Sequence, residues 1–200
     1  MLSRILSYND VGDVVIVDNG STYEPLLEWY ETHPCEVVML PNSKIGNRAP
    51  WTHGIVDRYE KYYVITDPDL GIETTPDDTL QYLAEKENAL SLGKIGLALD
   101  WSSVKLSSPC FDHCQGHEKR RYEHSRVRSN IRIDTVIDTT FALYSQRIFK
   151  VGGGCAQPPY SARHYMWELS NEDIAKNNEL LYYFKNTNRL FSSKKFFSLT

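Results

Sequence analysis

Short apolar runs alternate with helical patterns through the first hundred residues, and this alternation constrains the fold more than any other feature. Four runs have the length and the apolar content of buried strands: residues 14–17, 36–40, 62–66 and 94–100. Helical spacing of apolar residues falls between them, with prolines placed near the predicted helix starts. Strands that alternate with helices usually form parallel sheets. The first half therefore predicts a mostly parallel α/β sheet with helices on both faces.

The alternation stops after Trp101. Residues 102–130 are polar and then basic, and they lack periodicity, which is typical of a functional or mobile excursion. Strand patterns return at 131–133 and 139–144, and the glycines at 152–154 predict a flexible or tight connector. Ser170 is placed to cap a last helix that reaches about residue 185. Two hundred residues fit a single domain.

Composition narrows the class of protein. A net charge of −4 gives no general case for binding nucleic acid. No apolar run is long enough to span a bilayer, and the first residues lack the apolar core of a signal peptide. The 4 cysteines have no framework spacing, which predicts free thiols in a reducing compartment, and hence a cytoplasmic protein.

The third strand run ends at Asp67-Pro68-Asp69, which places two carboxylates one residue apart. Open α/β sheets bind ligands beyond the carboxyl ends of their strands. Paired carboxylates there suit Mg²⁺ or Mn²⁺, and such ions usually carry a phosphorylated ligand. The alternative is a plain turn, because Asp and Pro are common turn residues.

Asp18 and Asn19 follow the first strand run and precede a helix. In a parallel sheet they would share an edge with the Asp-Pro-Asp motif. Their side chains could hydrogen-bond a base or a ribose, and the helix start favours phosphate. A simple Asn-Gly turn explains the same residues.

The excursion carries two further patterns. Four potential zinc ligands occur at positions 110, 113, 114 and 117, namely Cys110, His113, Cys114 and His117. Their spacing is not that of a zinc finger, so incidental residues in a variable loop are the favoured interpretation, and zinc stays open. A basic run at 119–121, continued by arginines at 126, 128 and 132, could clamp a diphosphate, but a solvated face is the preferred interpretation.

Five stretches together resemble the GT-A nucleotide-sugar glycosyltransferases of the family-2 type. They are VIVDNGST (15–22), GNRAPW (46–51), VITDPDL (64–70), DTTFALY (138–144) and PYSARHYMW (159–167). They occur in the order and at about the spacing found in a bacterial and viral subgroup of that family. The resemblance implies a GT-A fold, which is Rossmann-like with a mostly parallel central sheet. It covers residues 10–185 outside the excursion and implies one domain over 1–200, with 102–130 on the acceptor side.

The resemblance also assigns the donor site. Asp67 and Asp69 would be the DxD metal motif, which holds Mn²⁺ or Mg²⁺ against the diphosphate of a UDP-sugar. His164 would be a third protein ligand or a diphosphate contact. Asp18 and Asn19 would meet the uracil and the ribose.

The same resemblance implies an inverting transfer of the sugar to a hydroxyl of a glycan acceptor. Arg48 and Arg163 would be donor-side cations. A carboxylate would take the proton from the acceptor hydroxyl, and Asp138 is the preferred base because it begins a strand-like motif after the excursion. Asp100 is the second choice.

Family members begin with a strand that this chain does not show, because residues 2–6 already match the first helix. The end of the chain, at residues 196–200, predicts a piece of a larger multidomain protein. Two alternative functions stay open. A nucleotidyltransferase would need a glycine- and lysine-rich phosphate loop near the chain start, and the sequence has none there. A non-catalytic nucleotide- or glycan-binding domain derived from a glycosyltransferase is the other.

Overall fold

The computed structural model describes residues 1–41, 45–119, 123–137 and 140–186, with the backbone alone at positions 117 and 118. Within these ranges the protein is mixed α/β, and its strands form three sheets. The strands are β1 (Val15–Asp18), β2 (Glu36–Met39), β3 (Tyr63–Thr66), β4 (Leu70–Gly71), β5 (Lys94–Gly96), β6 (Ala98–Asp100), β7 (Arg126–Arg128), β8 (Ile131–Val136), β9 (Phe141–Tyr144), β10 (Gly152–Ala156) and β11 (Ser161–His164).

The helices are mostly short. They are α1 (Leu2–Ile5), α2 (Glu24–Tyr30), α3 (Ala49–Thr52), α4 (Thr79–Leu90), α5 (Phe111–His113), α6 (Tyr165–Glu168), α7 (Asn171–Ala175) and α8 (Asn178–Asn186). Single 3₁₀ turns cover Gly46–Arg48 and Ile55–Arg58, and a π-helical turn covers Cys114–Glu118. No helix in the described ranges is long and apolar enough to cross a membrane.

The first βαβ unit forms as the sequence predicts. Strands β1 and β2 pair in parallel, with Val15 opposite Glu36, and α2 is the crossover between them. Pro25 lies in the first turn of α2, where its missing N–H needs no partner.

The prediction of a mostly parallel central sheet, which the resemblance to the GT-A family also implied, is wrong. The largest sheet has six strands in the order β3-β9-β5-β10-β8-β7, and of its neighbouring pairs only β5–β10 is parallel. The cause is β9, which comes from the second half of the chain and inserts between β3 and β5. Both neighbours run antiparallel to β9, so the third and fourth predicted strands contribute no parallel pair with each other.

The predicted fourth strand divides between two sheets. Residues 94–96 form β5 in the six-stranded sheet, and after Leu97 the chain continues as β6 in a three-stranded sheet of order β4-β11-β6. In that sheet β11 runs parallel to β6 and antiparallel to β4. The small sheet therefore joins the end of the Asp-Pro-Asp motif to the 159–167 stretch.

The glycines at 152–154 belong to a strand, so the prediction of a flexible or tight connector there is wrong. They open β10, which lies directly beside β5. A Cβ atom at Gly153 would collide with the carbonyl oxygen of Lys94, so only glycine allows the two strands to approach this closely.

The last predicted helix is two helices. Ser170 caps α7 in a capping box with Asp173, as the sequence predicts, but α7 ends at Ala175. Asn177 then accepts the backbone N–H groups of Glu179 and Leu180 and starts α8. The helical pattern between the second and third strand runs, which starts near Pro50, is also broken, at Gly54, whose φ of 67° is left-handed.

The two-stranded and six-stranded sheets do not join. In the described part of the chain, β1 pairs only with β2, and β3 pairs only with β9. Every residue from Tyr62 to Asp67 lines one large cavity, and so do Val15 and Val17 of β1. Because successive strand residues point to opposite faces, a cavity that touches all of them runs along the edge of β3. The two outer strand edges therefore border the same space.

Candidate functional site

This cavity has a volume of about 1230 Å³, larger than most small-molecule sites. Apolar residues of α1, α4, β1, β3 and β9 contribute to its lining. Asn19, Asp67 and Asp69 also line it, at or just after the carboxyl ends of β1 and β3, and we call the lining around them the polar end of the cavity. Further polar lining residues include Asp10, Asp13, Asn47, His113, Thr140, His164 and Glu179.

Asp67 and Asp69 bridge two sheets at the polar end of the cavity. The backbone N–H of Asp67 donates to the carbonyl oxygen of Thr140 over 3.2 Å, which extends the β3–β9 ladder by one residue. The carbonyl oxygen of Asp69 accepts the backbone N–H of Tyr165 over 2.9 Å, at the entry to β4. The motif is therefore held at both ends by backbone hydrogen bonds, and both carboxylates belong to residues that line the cavity.

His164 lies beside Asp69 although 95 residues separate them in the sequence. Strand β11 pairs with β4 so that His164 is opposite Leu70, the residue after Asp69. The Nδ1 atom of His164 is 3.4 Å from Oδ2 of Asp69, close enough for an ionic contact but not aligned as a hydrogen bond. The structure thus brings together two of the three predicted metal ligands.

The imidazole of His164 is fixed in position by Trp167. The two rings stack with centroids 4.8 Å apart and an interplanar angle of 3°. Nδ1 is buried and has no hydrogen-bond partner among the residues that the structure describes, which is a costly state for a polar atom. A cation shared with Asp69 would satisfy this nitrogen.

The donor set fits Mn²⁺ or Mg²⁺ in part. Carboxylate oxygens suit both ions, and an imidazole nitrogen favours Mn²⁺ of the two. Among the described residues, however, no group of three or more His, Cys, Asp or Glu side chains is already gathered as a metal site. A bound ion would complete its coordination with the ligand and water, as Mg²⁺ commonly does.

The side chain of Asp18 is buried and accepts hydrogen bonds from the turn that follows it. Its Oδ1 accepts the backbone N–H groups of Gly20 and Ser21 over 2.7 and 2.6 Å, and its Oδ2 accepts the hydroxyl of Tyr30 over 2.6 Å. Burial opposes ionisation, but these hydrogen bonds, led by that of Ser21, hold the pKa of Asp18 below its ordinary value. Burial and then Asp18 raise the pKa of Tyr30. Asp18 is thus placed to shape the turn, and Asn19 is the residue that lines the cavity.

The two predicted donor-side arginines lie elsewhere. Arg163 is ion-paired to both carboxylate oxygens of Glu168, with Nε to Oε1 at 2.8 Å, and this pairing, partly opposed by burial, lowers the pKa of Glu168. The guanidinium of Arg48 lies 4.6 Å from the centre of the Phe149 ring. No arginine or lysine of the described ranges lines the cavity.

The structure describes only one of the two predicted bases, Asp100. Asp138 lies outside the described residues. Asp100 ends β6 opposite Arg163, and its Oδ1 accepts the backbone N–H of Ser102 over 2.9 Å. Asp100 does not line the cavity.

The described part of the excursion is anchored by its cysteines. Cys110 and Cys114 are fully buried in an apolar cluster with Trp167 and Phe184, which gives them a packing role. His113 lies between them and lines the cavity. The side chain of His117 is not described. The helical spacing of the two cysteines was the signal that could have placed His113 next to a core.

The basic run is partly used in surface ion pairs. Arg126 contacts Asp134 over 2.6 Å, and Lys119 approaches Glu123 at 3.9 Å. Both pairs are exposed, as a solvated face predicts. Arg120 and Arg121 lie outside the described residues.

Comparisons with known protein families, with curated proteins and with solved structures gave no significant match to this chain. The functional argument therefore depends on the cavity and its side chains.

Proposed function

We propose that the protein is an inverting, divalent-metal-dependent glycosyltransferase, which moves a sugar from a UDP-sugar donor to a hydroxyl of a glycan acceptor. The observation that carries this proposal is the contact between Asp69, which directly precedes β4, and His164, the last residue of β11, at the polar end of a large cavity. A buried imidazole nitrogen that has no hydrogen bond within the described part of the chain and lies 3.4 Å from a carboxylate can supply one of the ligands of a metal ion, with the carboxylate as another.

Each lining residue has a role in this proposal. Asp67, Asp69 and His164 would hold the divalent ion. When bound, the ion supplies positive charge that lowers the cost of releasing a diphosphate. The amide of Asn19, which contacts the carbonyl oxygen of Gly46 over 3.4 Å, offers both a donor and an acceptor to a base or a ribose. The cavity volume is sufficient for a nucleotide-sugar.

The placement of the cations favours a second candidate. Since Arg163 is paired with Glu168 and Arg48 lies on Phe149, neither stabilises a leaving diphosphate in this conformation. A non-catalytic nucleotide- or glycan-binding domain needs no such stabilisation. This candidate predicts metal-dependent UDP binding without turnover.

One experiment separates the two candidates. UDP binding is measured by calorimetry with and without Mn²⁺, and hydrolysis of a panel of UDP-sugars is then followed. Binding that requires Mn²⁺, together with hydrolysis of one donor, supports the transferase. Binding without hydrolysis of any donor favours the binding domain, and no Mn²⁺-dependent binding of UDP contradicts both. Asp69→Asn should weaken binding, and Asp100→Asn, which changes a carboxylate outside the cavity, is the matched control.

A further inference from the structure

We propose that His113 is the acceptor-side base of the transfer reaction, an inference that rests on the proposed function. It is a histidine of the excursion that lines the same cavity as Asp69 and His164. Asp100 does not line this cavity, and Asp138 lies outside the described residues. A neutral imidazole has an unprotonated ring nitrogen that accepts a proton, and histidine is the commonest general base.

The local fold holds His113 firmly at the cavity wall. It is the last residue of α5, and the residues on either side of this turn, Cys110 and Cys114, are both fully buried. The backbone N–H of Cys114 donates to the carbonyl oxygen of Cys110 over 2.9 Å, which closes the turn. The apolar cluster around Trp167, in which both cysteines are buried, therefore holds this turn and His113 in place.

Trp167 connects His113 to the metal pair. One face of the indole stacks on His164, and the ring of His113 approaches the same indole edge-on, with centroids 6.3 Å apart and an interplanar angle of 78°. The two imidazoles therefore both contact one aromatic ring, and His164 also contacts Asp69. An inverting transfer needs its base on the side of the sugar away from the diphosphate, so the proposal requires the sugar to lie between Asp69 and His113.

Other proton acceptors of the described cavity lining are less well placed. Asp10 and Asp13 precede β1, so they lie about a strand length, roughly 13 Å, from its carboxyl end. Glu179 is exposed in the first turn of α8 and is the nearest competitor. His113 is favoured because it is half-buried and packed against Trp167.

The proposed step balances without a co-reactant. The acceptor oxygen attacks the anomeric carbon of the donor and forms the new C–O bond. The bond from that carbon to the diphosphate oxygen breaks, and its electron pair leaves with the diphosphate. The proton of the acceptor hydroxyl passes to a ring nitrogen of His113 and is later lost to water.

The test uses azide, an anionic nucleophile that needs no base. His113→Gln keeps a polar side chain but cannot take the proton, and His124→Gln is a matched control from an exposed part of the excursion. Wild type and variants are given UDP-sugars with Mn²⁺, in water alone and with sodium azide. We expect His113→Gln to lower donor hydrolysis by about 10²–10⁴-fold, the usual contribution of a general base, and to leave glycosyl azide formation within about threefold. His124→Gln should change neither rate.

Two further measurements make the result decisive. UDP binding with Mn²⁺ should be equal in wild type and His113→Gln. If His113→Gln does not fold, His113→Ala is assayed with added imidazole, which should restore hydrolysis. Equal loss of the azide and water reactions, or the azide-spared pattern in Asp138→Asn or Glu179→Gln in place of His113→Gln, would overturn the assignment while the transferase stands. Absence of Mn²⁺-dependent UDP binding in the wild type would instead remove the proposed function and this inference with it.

Discussion

Tyr30 donates a hydrogen bond of 2.6 Å to Oδ2 of Asp18, and so fastens the last turn of α2 to the end of the preceding strand. With the two backbone donors on Oδ1, this contact favours the ionised form of a buried carboxylate. The ionised carboxylate of Asp18 therefore stabilises the turn that places Asn19 at the cavity.

Asp18→Asn should make the protein less stable at neutral pH and less sensitive to acid. The pKa of folded Asp18 lies below its ordinary value of 3.8, so the ionised group stabilises the fold fully above that value. This contribution is lost as the pH falls through the folded pKa. Urea unfolding from pH 7 to about pH 2.5 should show a flatter pH dependence for Asp18→Asn than for wild type. Tyr30→Phe should give a partial effect of about 1–2 kcal/mol, since it removes one of the three hydrogen bonds. Identical pH profiles for wild type and Asp18→Asn would contradict this account.

Removing either half of the Asp69–His164 pair should weaken Mn²⁺ binding. Asp69→Asn or His164→Gln replaces one of two close ligands, and we expect at least about a tenfold rise in the dissociation constant, as even indirect partners of metal ligands contribute that much. Electron paramagnetic resonance of free Mn²⁺ measures this directly. Asp112→Asn, an exposed carboxylate of the excursion, serves as the control. Unchanged Mn²⁺ affinity in both variants would exclude the metal pair.

Gly153→Ala should lower the stability of the fold, although it adds only one methyl group. The new methyl group would meet the Lys94 carbonyl oxygen, and the strands would have to separate, at a cost of about 1–3 kcal/mol. Gly12→Ala is the matched control, because its Cβ would meet no atom within 4 Å. Thermal unfolding of the two variants compares them, and equal midpoints would show that β10 and β5 are not this close.

A single cysteine should react quickly with a thiol reagent in the folded protein. Cys110, Cys114 and Cys155 are buried, whereas Cys35 is partly exposed, and none of the four forms a disulfide. Ellman's reagent should label Cys35 in the native state and the other three only as the protein unfolds. Cys35→Ser should abolish the fast phase, and a second fast thiol would mean that the part of the core around one of the buried cysteines opens readily.

Local patterns in the sequence predicted the elements that depend on local interactions. The β1–α2–β2 unit, β3 and the capping box at Ser170 all form where period, proline placement and cap residues indicate. The placement of Asp67 and Asp69 at a cavity edge follows from the same reasoning, because the end of a strand determines where the next residues lie.

Strand order could not be predicted in this way. The pattern of residues 139–144 predicts a strand but does not identify its neighbours, and β9 is placed between β3 and β5 by packing between distant parts of the chain. The resemblance implied that Arg163 faces the donor. In the structure Arg163 forms an ion pair with Glu168, the last residue of the short helix α6. The spacing of Cys110 and Cys114 could indicate a helical turn at His113, but it could not identify Trp167, 54 positions later, as the residue that His113 contacts.

The separation of the first βαβ unit from the six-stranded sheet has a consequence for hydrogen exchange. No backbone ladder joins β1 to β3 in the described part of the chain, so loops and side-chain contacts, such as the Arg58–Glu36 ion pair, couple residues 15–39 to the rest. A unit coupled in this way can open without unfolding the whole protein. The amides of β1 and β2 should therefore exchange with solvent sooner than those of β5 and β9 in hydrogen–deuterium exchange, and a ligand that spans Asn19 and Asp69 should reduce the difference.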